Sequence, residues 1–178
     1  MGQVWLARHA ASQMPVAIKH LPRLEPRFVD AFRREVEAVA RLHHAGVVML
    51  YDHGTVTPEI AERSQGTLTA GGPWVAMEYA SAGSLADLSL PNSWPALRNL
   101  LLAILDGLAH AHARGVIHRD LKPANILVCS AADQRPGLKL ADFGLAWITS
   151  TTIHAKGAGT PSYMAPEQAM GNWWDFGP

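Results

Sequence analysis

The order of apolar patterns along the chain predicts an α+β protein of two small lobes. Three observations lead there. Short alternating strands with one amphipathic helix occupy the residues before Ala80, and a long apolar helix followed by a small hairpin comes after Gly83. The stretch between them, Ala80 to Gly83, reads as a tether with little regular structure. Strands with one helix and then a helix with a hairpin, rather than a regular βαβ alternation, are the signature of the α+β class.

Composition allows such a protein. The 178 residues suffice for one domain or two small lobes sharing a cleft. Hydrophobic residues make up 48% and charged residues 17%, so a core can form and wholesale disorder is excluded. The formal net charge is zero, which gives no bulk attraction to nucleic acid or to a membrane surface. Cys129 is the one cysteine, which excludes an intramolecular disulfide framework and a multi-cysteine zinc site, and fits a reducing, cytoplasmic setting. The longest apolar run, around Leu100 to Leu105, is broken by Asp106 and falls short of the roughly 18 residues that suggest a membrane span. The nine histidines are scattered apart from His43-His44 and His110-Ala-His112. They read as structural or surface residues, because no helical i,i+4 pair offers a metal site.

Each element has its own justification. Val4 to Arg8 and Val16 to His20 alternate like strands, and the turn between them holds Ser12 and Pro15, which predicts an antiparallel hairpin. In V-A-I-K, Ala17 and Lys19 share a face because strand side chains alternate. Arg27 to Leu42 carries Phe28, Phe32, Val39 and Leu42 at helical spacing. Glu35 lies on that stripe, whereas Glu37 points away between Arg33 and Arg41. Val47 to Tyr51 and Trp74 to Tyr79 read as strands, and the polar, Gly-rich Thr55 to Gly72 as a long exposed connection. Pro95 to Arg114 is apolar almost all round, so a buried helix is expected, with Gly115 as its stop. I-L-V at 126–128 and L-K-L-A at 138–141 bracket Asp133, Pro136 and Gly137 and read as a second hairpin. After Phe143 periodicity is lost.

Four motifs carry chemistry. H-R-D-L-K-P-A-N, His118 to Asn125, lies between the long helix and the second hairpin, and D-F-G, Asp142 to Gly144, ends that hairpin. G-T-P-S-Y-M-A-P-E spans Gly159 to Glu167, and V-A-I-K pairs with Glu35 on the following helix. Each is weak alone. Together and in this order they resemble the eukaryotic-type protein kinase family, over nearly the whole chain, in a style closer to bacterial members. The resemblance implies a two-lobed kinase-like fold: an N-lobe over residues 1–79 and a partial, helical C-lobe over 80–178.

It also implies ATP- and Mg²⁺-dependent phosphoryl transfer to serine or threonine hydroxyls of a protein substrate. Such chemistry needs positioning, neutralised phosphate charge and an acceptor for the hydroxyl proton. Asp120 would orient the hydroxyl and take its proton, Lys122 would reach the transferring phosphate, and Thr160 would bridge the two. Asn125 and Asp142 would give oxygen ligands to Mg²⁺. Lys19, paired with Glu35, would hold the α/β-phosphates. Gly2 would let the backbone approach phosphate. Val4 and Ala17 would cover adenine from the N-lobe and Leu127 from the C-lobe. Met77 would stand at the gatekeeper position. Glu78 and Ala80 would offer backbone groups to adenine, so side-chain identity there is expected to matter little. Val39, Leu50, Phe143 and His118 would stack as a column. Lys122 and G-T-P-S-Y resemble serine/threonine-specific members. Arg119 beside Asp120 suggests control by phosphorylation of the segment after D-F-G, with Thr151 and Thr152 favoured over Thr149 and Ser150.

Two departures qualify the resemblance. The family's loop is G-x-G-x-x-G-x-V, and here the match begins at its last glycine, Gly2. The helices expected after A-P-E, residues 165–167, are also lacking. The chain is therefore expected to be a fragment of a kinase domain, with a non-catalytic, pseudokinase-like binding module as the alternative.

Overall fold

The computed structural model describes residues 2–21, 26–89, 91–143 and 161–169. The chain divides into two compact units, Met1–Ala40 with Met49–Tyr79, and Arg41–Val48 with Ala80–Pro178.

The first unit is a four-stranded antiparallel sheet with two helices. Its strands are β1 (Gln3–Arg8), β2 (Pro15–His20), β3 (Leu50–Thr55) and β4 (Pro73–Glu78), in the order β1-β2-β4-β3. The β1–β2 hairpin closes where the Gln13 N–H donates to the His9 carbonyl at 2.8 Å, with Gln13 at φ +58°. Register sets the faces. Val4 lies opposite Lys19, and Lys19 opposite Val75; Leu6 lies opposite Ala17, and Ala17 opposite Met77. Cross-strand partners share a face, so Val4, Leu6, Ala17, Lys19, Val75 and Met77 line one side of the sheet. Trp5, Ile18, His20, Trp74 and Ala76 line the other.

Helix α1 (Pro26–Ala40) buries Phe32, Val36 and Val39 and packs against β3. Glu35 is half-buried and Glu37 exposed, as their positions around the helix dictate. The long connection is not wholly irregular. It contains helix α2 (Pro58–Arg63), whose N-cap Thr57 accepts from the Ile60 N–H at 3.3 Å, with Pro58 in the first turn. A capping threonine followed by proline and glutamate is a helix start, and polar composition masked it. Helix α2 helps enclose a cavity of about 600 Å³ on the second sheet face, lined by Trp5, Ile18, His20, Val56, Ile60 and Trp74 among others.

Strand β3 starts later than the sequence predicts. Val47 instead makes an isolated parallel bridge to Leu140, and the Val48 N–H donates to the Leu140 carbonyl at 3.0 Å. The apolar run at 47–51 is therefore divided between the two units, a division that periodicity cannot reveal.

The second unit is built on helix α3 (Trp94–His112) and the antiparallel hairpin of β5 (Ile126–Cys129) and β6 (Gly137–Leu140). Gly115, at φ +72°, ends α3: its N–H donates to the His112 carbonyl at 2.9 Å and the Val116 N–H to the Ala111 carbonyl at 3.0 Å. That pair of hydrogen bonds is the Schellman stop. Only one face of α3 is buried, through Ile104, Gly107 and Ala111. Leu101, Leu102 and Leu105 are 42%, 47% and 57% exposed. The expectation of a helix buried all round is thus corrected, since apolar composition counts faces without showing what covers them. Residues 41–48 are tied to the hairpin by charged side chains on backbone carbonyls. Lys139, 1% exposed, donates to the Ala45 carbonyl at 2.6 Å, and Arg135 donates to those of His44 and Val47.

Candidate active site

The loop after α3 carries a dense set of hydrogen bonds. Val116 and His118 are buried, which roots the loop, and the Asp120 N–H donates to the His118 carbonyl at 2.9 Å. Arg119 takes φ +61°, a left-handed conformation that costs a non-glycine residue free energy. Its carbonyl accepts from Gln168 Nε2 at 2.8 Å, and Gln168 Oε1 accepts from the Ala165 N–H at 3.1 Å. Gln168 thus fastens the A-P-E segment to the catalytic-loop candidate. Sequence reading missed it, because nothing local marks a glutamine that acts through a distant carbonyl.

Asp120 Oδ2 accepts from Lys122 Nζ at 2.8 Å and from Asn125 Nδ2 at 2.8 Å; Nδ2 also donates to the Asp120 carbonyl at 2.8 Å. The short 3₁₀ turn Pro123–Asn125 sets this up, with the Asn125 N–H on the Lys122 carbonyl at 2.9 Å. Pro123 fits its first position because no N–H is needed there. Asn125 is buried, and its carbonyl accepts from the Ala141 N–H at 2.9 Å. That bond places β6, and with it Asp142, beside the Asn125 turn. Asp142 also sits at positive φ, +60°, and is half-buried. Asp120, Lys122, Asn125 and the backbone leading into Asp142 therefore belong to one hydrogen-bonded framework.

Behind it, the His118 and Phe143 rings pack with centroids 4.5 Å apart and planes tilted by 36°. Burial holds the His118 pKa below the usual histidine value. Its own backbone and the charges of Asp120 and Asp142 act in the opposite direction without prevailing. Neutral His118 keeps a positive charge out of the core beneath the two carboxylates.

The donor chemistry suits Mg²⁺. Asn125 turns its amide nitrogen to Asp120, so its oxygen and the Asp142 carboxylate are the groups that could hold such a cation. Among the described residues no three histidine, cysteine or acidic side chains converge on one point. A magnesium ion needs no such cage, since it takes one or two carboxylates and completes its shell with water and phosphate.

In the first unit, Val4, Ala17, Lys19 and Met77 share one sheet face by register. Gly2 precedes β1, and a Cβ there would lie 2.6 Å from Leu21 Cδ2 and 3.1 Å from the His20 carbonyl oxygen. Only glycine fits. Glu35 is half-buried on α1. The Glu78 side chain corrects an expectation: it is 4% exposed, and Oε2 accepts from the Met49 N–H at 3.1 Å. Its identity matters because it joins the end of β4 to the start of β3. Ala80 and Leu127 belong to the second unit, where Leu127 bridges Ser84. Of the expected column, His118 and Phe143 are in contact, and Val39 and Leu50 lie in the first unit. Gly144, Thr149, Ser150, Thr151, Thr152 and Thr160 fall outside the described residues.

A family model described as protein kinase domain matches residues 1–173. The chain belongs to the protein kinase family. It is 34% identical to serine/threonine-protein kinase pkn3 of Myxococcus xanthus, over 98% of this chain and 32% of that protein. It is 36% identical to serine/threonine-protein kinase PknB of Mycobacterium leprae, over 97% of this chain and 27% of that protein. Among solved structures it resembles the Mycobacterium tuberculosis PknI kinase domain at 31% identity and a TM-score of 0.62, over 82% of this chain and 56% of that one. A variant of the same domain gives a TM-score of 0.67 at 30% identity, over 96% of this chain and 61% of that one. The chain thus spans about a third or less of these two curated relatives and somewhat over half of the kinase-domain structure. The antiparallel sheet of the first unit and the helix with hairpin of the second are those of a protein kinase fold.

Proposed function

We propose that this chain carries the machinery for transfer of a phosphoryl group from ATP to serine or threonine hydroxyls of a protein, in the cytoplasm. Protein kinases as a family use ATP and Mg²⁺. The observation that carries the reading is the fixed carboxylate of Asp120. With Oδ2 held by Lys122 Nζ and Asn125 Nδ2, both at 2.8 Å, Oδ1 is the oxygen left to face an incoming hydroxyl. Oδ1 would orient that hydroxyl and receive its proton as the oxygen attacks. Lys122 would hold the carboxylate in place and carry positive charge toward the transferring phosphoryl. Asn125 Oδ1 and Asp142 would hold Mg²⁺, which when bound neutralises charge building on the phosphate oxygens. Lys19, supported by Glu35, would hold the α/β-phosphates, with the Gly2 backbone close to them. Val4, Ala17 and Leu127 would flank the purine, Met77 would bound the pocket, and the backbones of Glu78 and Ala80 would meet the purine edge. Thr160 would complete the site beside Asp120, and Thr151 or Thr152 would be the regulatory phosphate acceptor.

The test is Mg·ATP-dependent phosphorylation of a generic protein substrate with phosphoamino-acid analysis. The expected products are phosphoserine and phosphothreonine. Asp120→Asn should lower the rate about 10²- to 10⁴-fold, the usual worth of a general base, while nucleotide binding persists. Transfer at an undiminished rate in that variant would overturn the role given to Asp120.

A further inference from the structure

The sheet of the first unit has a second face that the kinase motifs leave unused. Helix α2 and the residues after it arch over that face as a closed segment. Its two ends are fastened together: the Val56 N–H donates to the Gly72 carbonyl at 2.9 Å and the Gly71 N–H to the Val56 carbonyl at 2.8 Å. The arch also holds its own shape, because Ser64 Oγ donates to the Ala61 carbonyl at 2.6 Å and accepts from the Leu68 N–H at 2.9 Å. Beneath it lies the cavity of about 600 Å³, with Trp5, Ile18, His20 and Trp74 in its floor and Ile60 and Leu68 in its roof. Small-molecule sites have this size and this kind of wall, whereas packing gaps in protein interiors rarely exceed a water molecule.

The walls restrict what fits. Among the described residues that line the cavity there is no lysine, arginine or carboxylate, so nothing there balances a charged ligand. Much of the floor is aromatic. The Trp5 and His20 rings pack with centroids 5.9 Å apart and planes 26° apart. The Trp74 indole lies over Gly54, where a Cβ would be 3.0 Å from Trp74 Cζ2. A flat ring pairs with such surface in offset or edge-on contact. The unmet polar demand comes from His20, which is 0% exposed and has no hydrogen-bond partner on either ring nitrogen. Burial holds its pKa below the ordinary histidine value, against the opposing pull of the Thr69 backbone, so the ring is neutral. A neutral imidazole keeps one nitrogen as a lone-pair acceptor. A backbone carbonyl cannot serve that lone pair; an O–H or N–H donor can. Trp5, which packs on the imidazole, is half-buried on edge strand β1, so an entering ring can take its place there.

We propose that this cavity binds a small, uncharged aromatic molecule carrying one O–H or N–H donor, its ring against Trp5 and Trp74 and its donor on the unpartnered nitrogen of His20. Side chains alternate along β2, so the site lies on the opposite sheet face from Ala17 and Lys19. It is separate from the nucleotide reading above and does not depend on it.

The experiment measures binding of three probes to the whole chain by calorimetry, with thermal unfolding alongside. Indole carries an N–H donor, 1-methylindole has nearly the same shape without it, and indole-3-acetate adds a negative charge. Indole should bind saturably, and 1-methylindole roughly three- to ten-fold more weakly, the worth of about one hydrogen bond. Indole-3-acetate should bind more weakly than indole. His20→Phe keeps a ring but no acceptor, and should erase the difference between indole and 1-methylindole. Ile60→Trp fills the cavity from a roof position that is 45% exposed, and should abolish indole binding while the chain stays folded. The proposal is overturned if the folded parent chain shows no saturable indole binding, or if indole and 1-methylindole bind it alike. It is also overturned if indole-3-acetate binds as tightly as indole, or if folded Ile60→Trp binds indole like the parent. A parent chain that binds no indole, yet self-associates in a way that Ile60→Trp breaks, would assign the cavity to a second copy instead.

Discussion

At the scale of single residues, the site depends on groups kept in costly states. Arg119 and Asp142 both hold positive φ, at +61° and +60°. Such conformations persist only where neighbours over-determine them, here the Gln168 bond to the Arg119 carbonyl and the Ala141 bond to Asn125. His118 is held neutral by burial. Its folded pKa lies below the unfolded value, so unfolded chains bind more protons in the window beneath about 6.5. Its contribution to stability is complete above that pH and is lost as pH falls toward the folded pKa. His20, depressed mainly by burial, and His110, depressed by burial and then by Arg114 and His44, act in the same direction. Urea midpoints of the parent chain should therefore fall between pH 7.5 and 5, and His118→Phe should flatten part of that fall. An unchanged slope would contradict the assignment. The clustering of Asp120, Lys122 and Asn125 was legible in the sequence because they belong to one short motif. Gln168 and the Glu78 side chain were not, because each acts on a backbone group that only folding brings near.

At the scale of elements, patterns with a clear period were read correctly and mixed ones were not. Both hairpins, helix α1 and the Gly115 stop are visible as alternation, a helical stripe or a terminal glycine. Helix α2 was hidden inside polar sequence, although its Thr57 cap was in view. The apolar run at 47–51 proved to serve two units. Gly107 shows why the buried face of α3 is narrow. A Cβ there would lie 2.9 Å from Leu140 Cδ1 and 3.0 Å from the Gly46 carbonyl oxygen. The helix approaches residues 41–48 at backbone distance and β6 through the Leu140 side chain. Gly107→Val should cost about 1–3 kcal/mol through overpacking, read as a melting temperature lower by about 2–4 °C per kcal/mol. Unaltered stability would mean that α3 can shift away without loss.

At the scale of the whole molecule, the apolar part of α3 that faces away from β6 is the clearest solution property. Leu101, Leu102 and Leu105 remain exposed, and Trp94 at the start of the helix is 67% exposed. A patch of this kind favours association. The chain should bind the dye ANS while keeping its helical circular dichroism, and Leu102→Gln with Leu105→Gln should reduce that fluorescence. Fluorescence unaffected by the pair would place the dye elsewhere. No helix among the described residues is long and apolar enough to cross a membrane.

In the proposed reaction Lys122 holds the Asp120 carboxylate for proton transfer and supports the phosphoryl group in flight. Single-turnover phosphoryl transfer by Lys122→Met, set beside nucleotide affinity, tests it most directly. The expected rate is about 10²- to 10³-fold lower, as when one preorganised electrostatic partner is removed, with nucleotide affinity nearly unchanged. A variant that binds nucleotide more weakly yet transfers at the parent rate would contradict it, as would a folded, nucleotide-bound parent chain that transfers nothing.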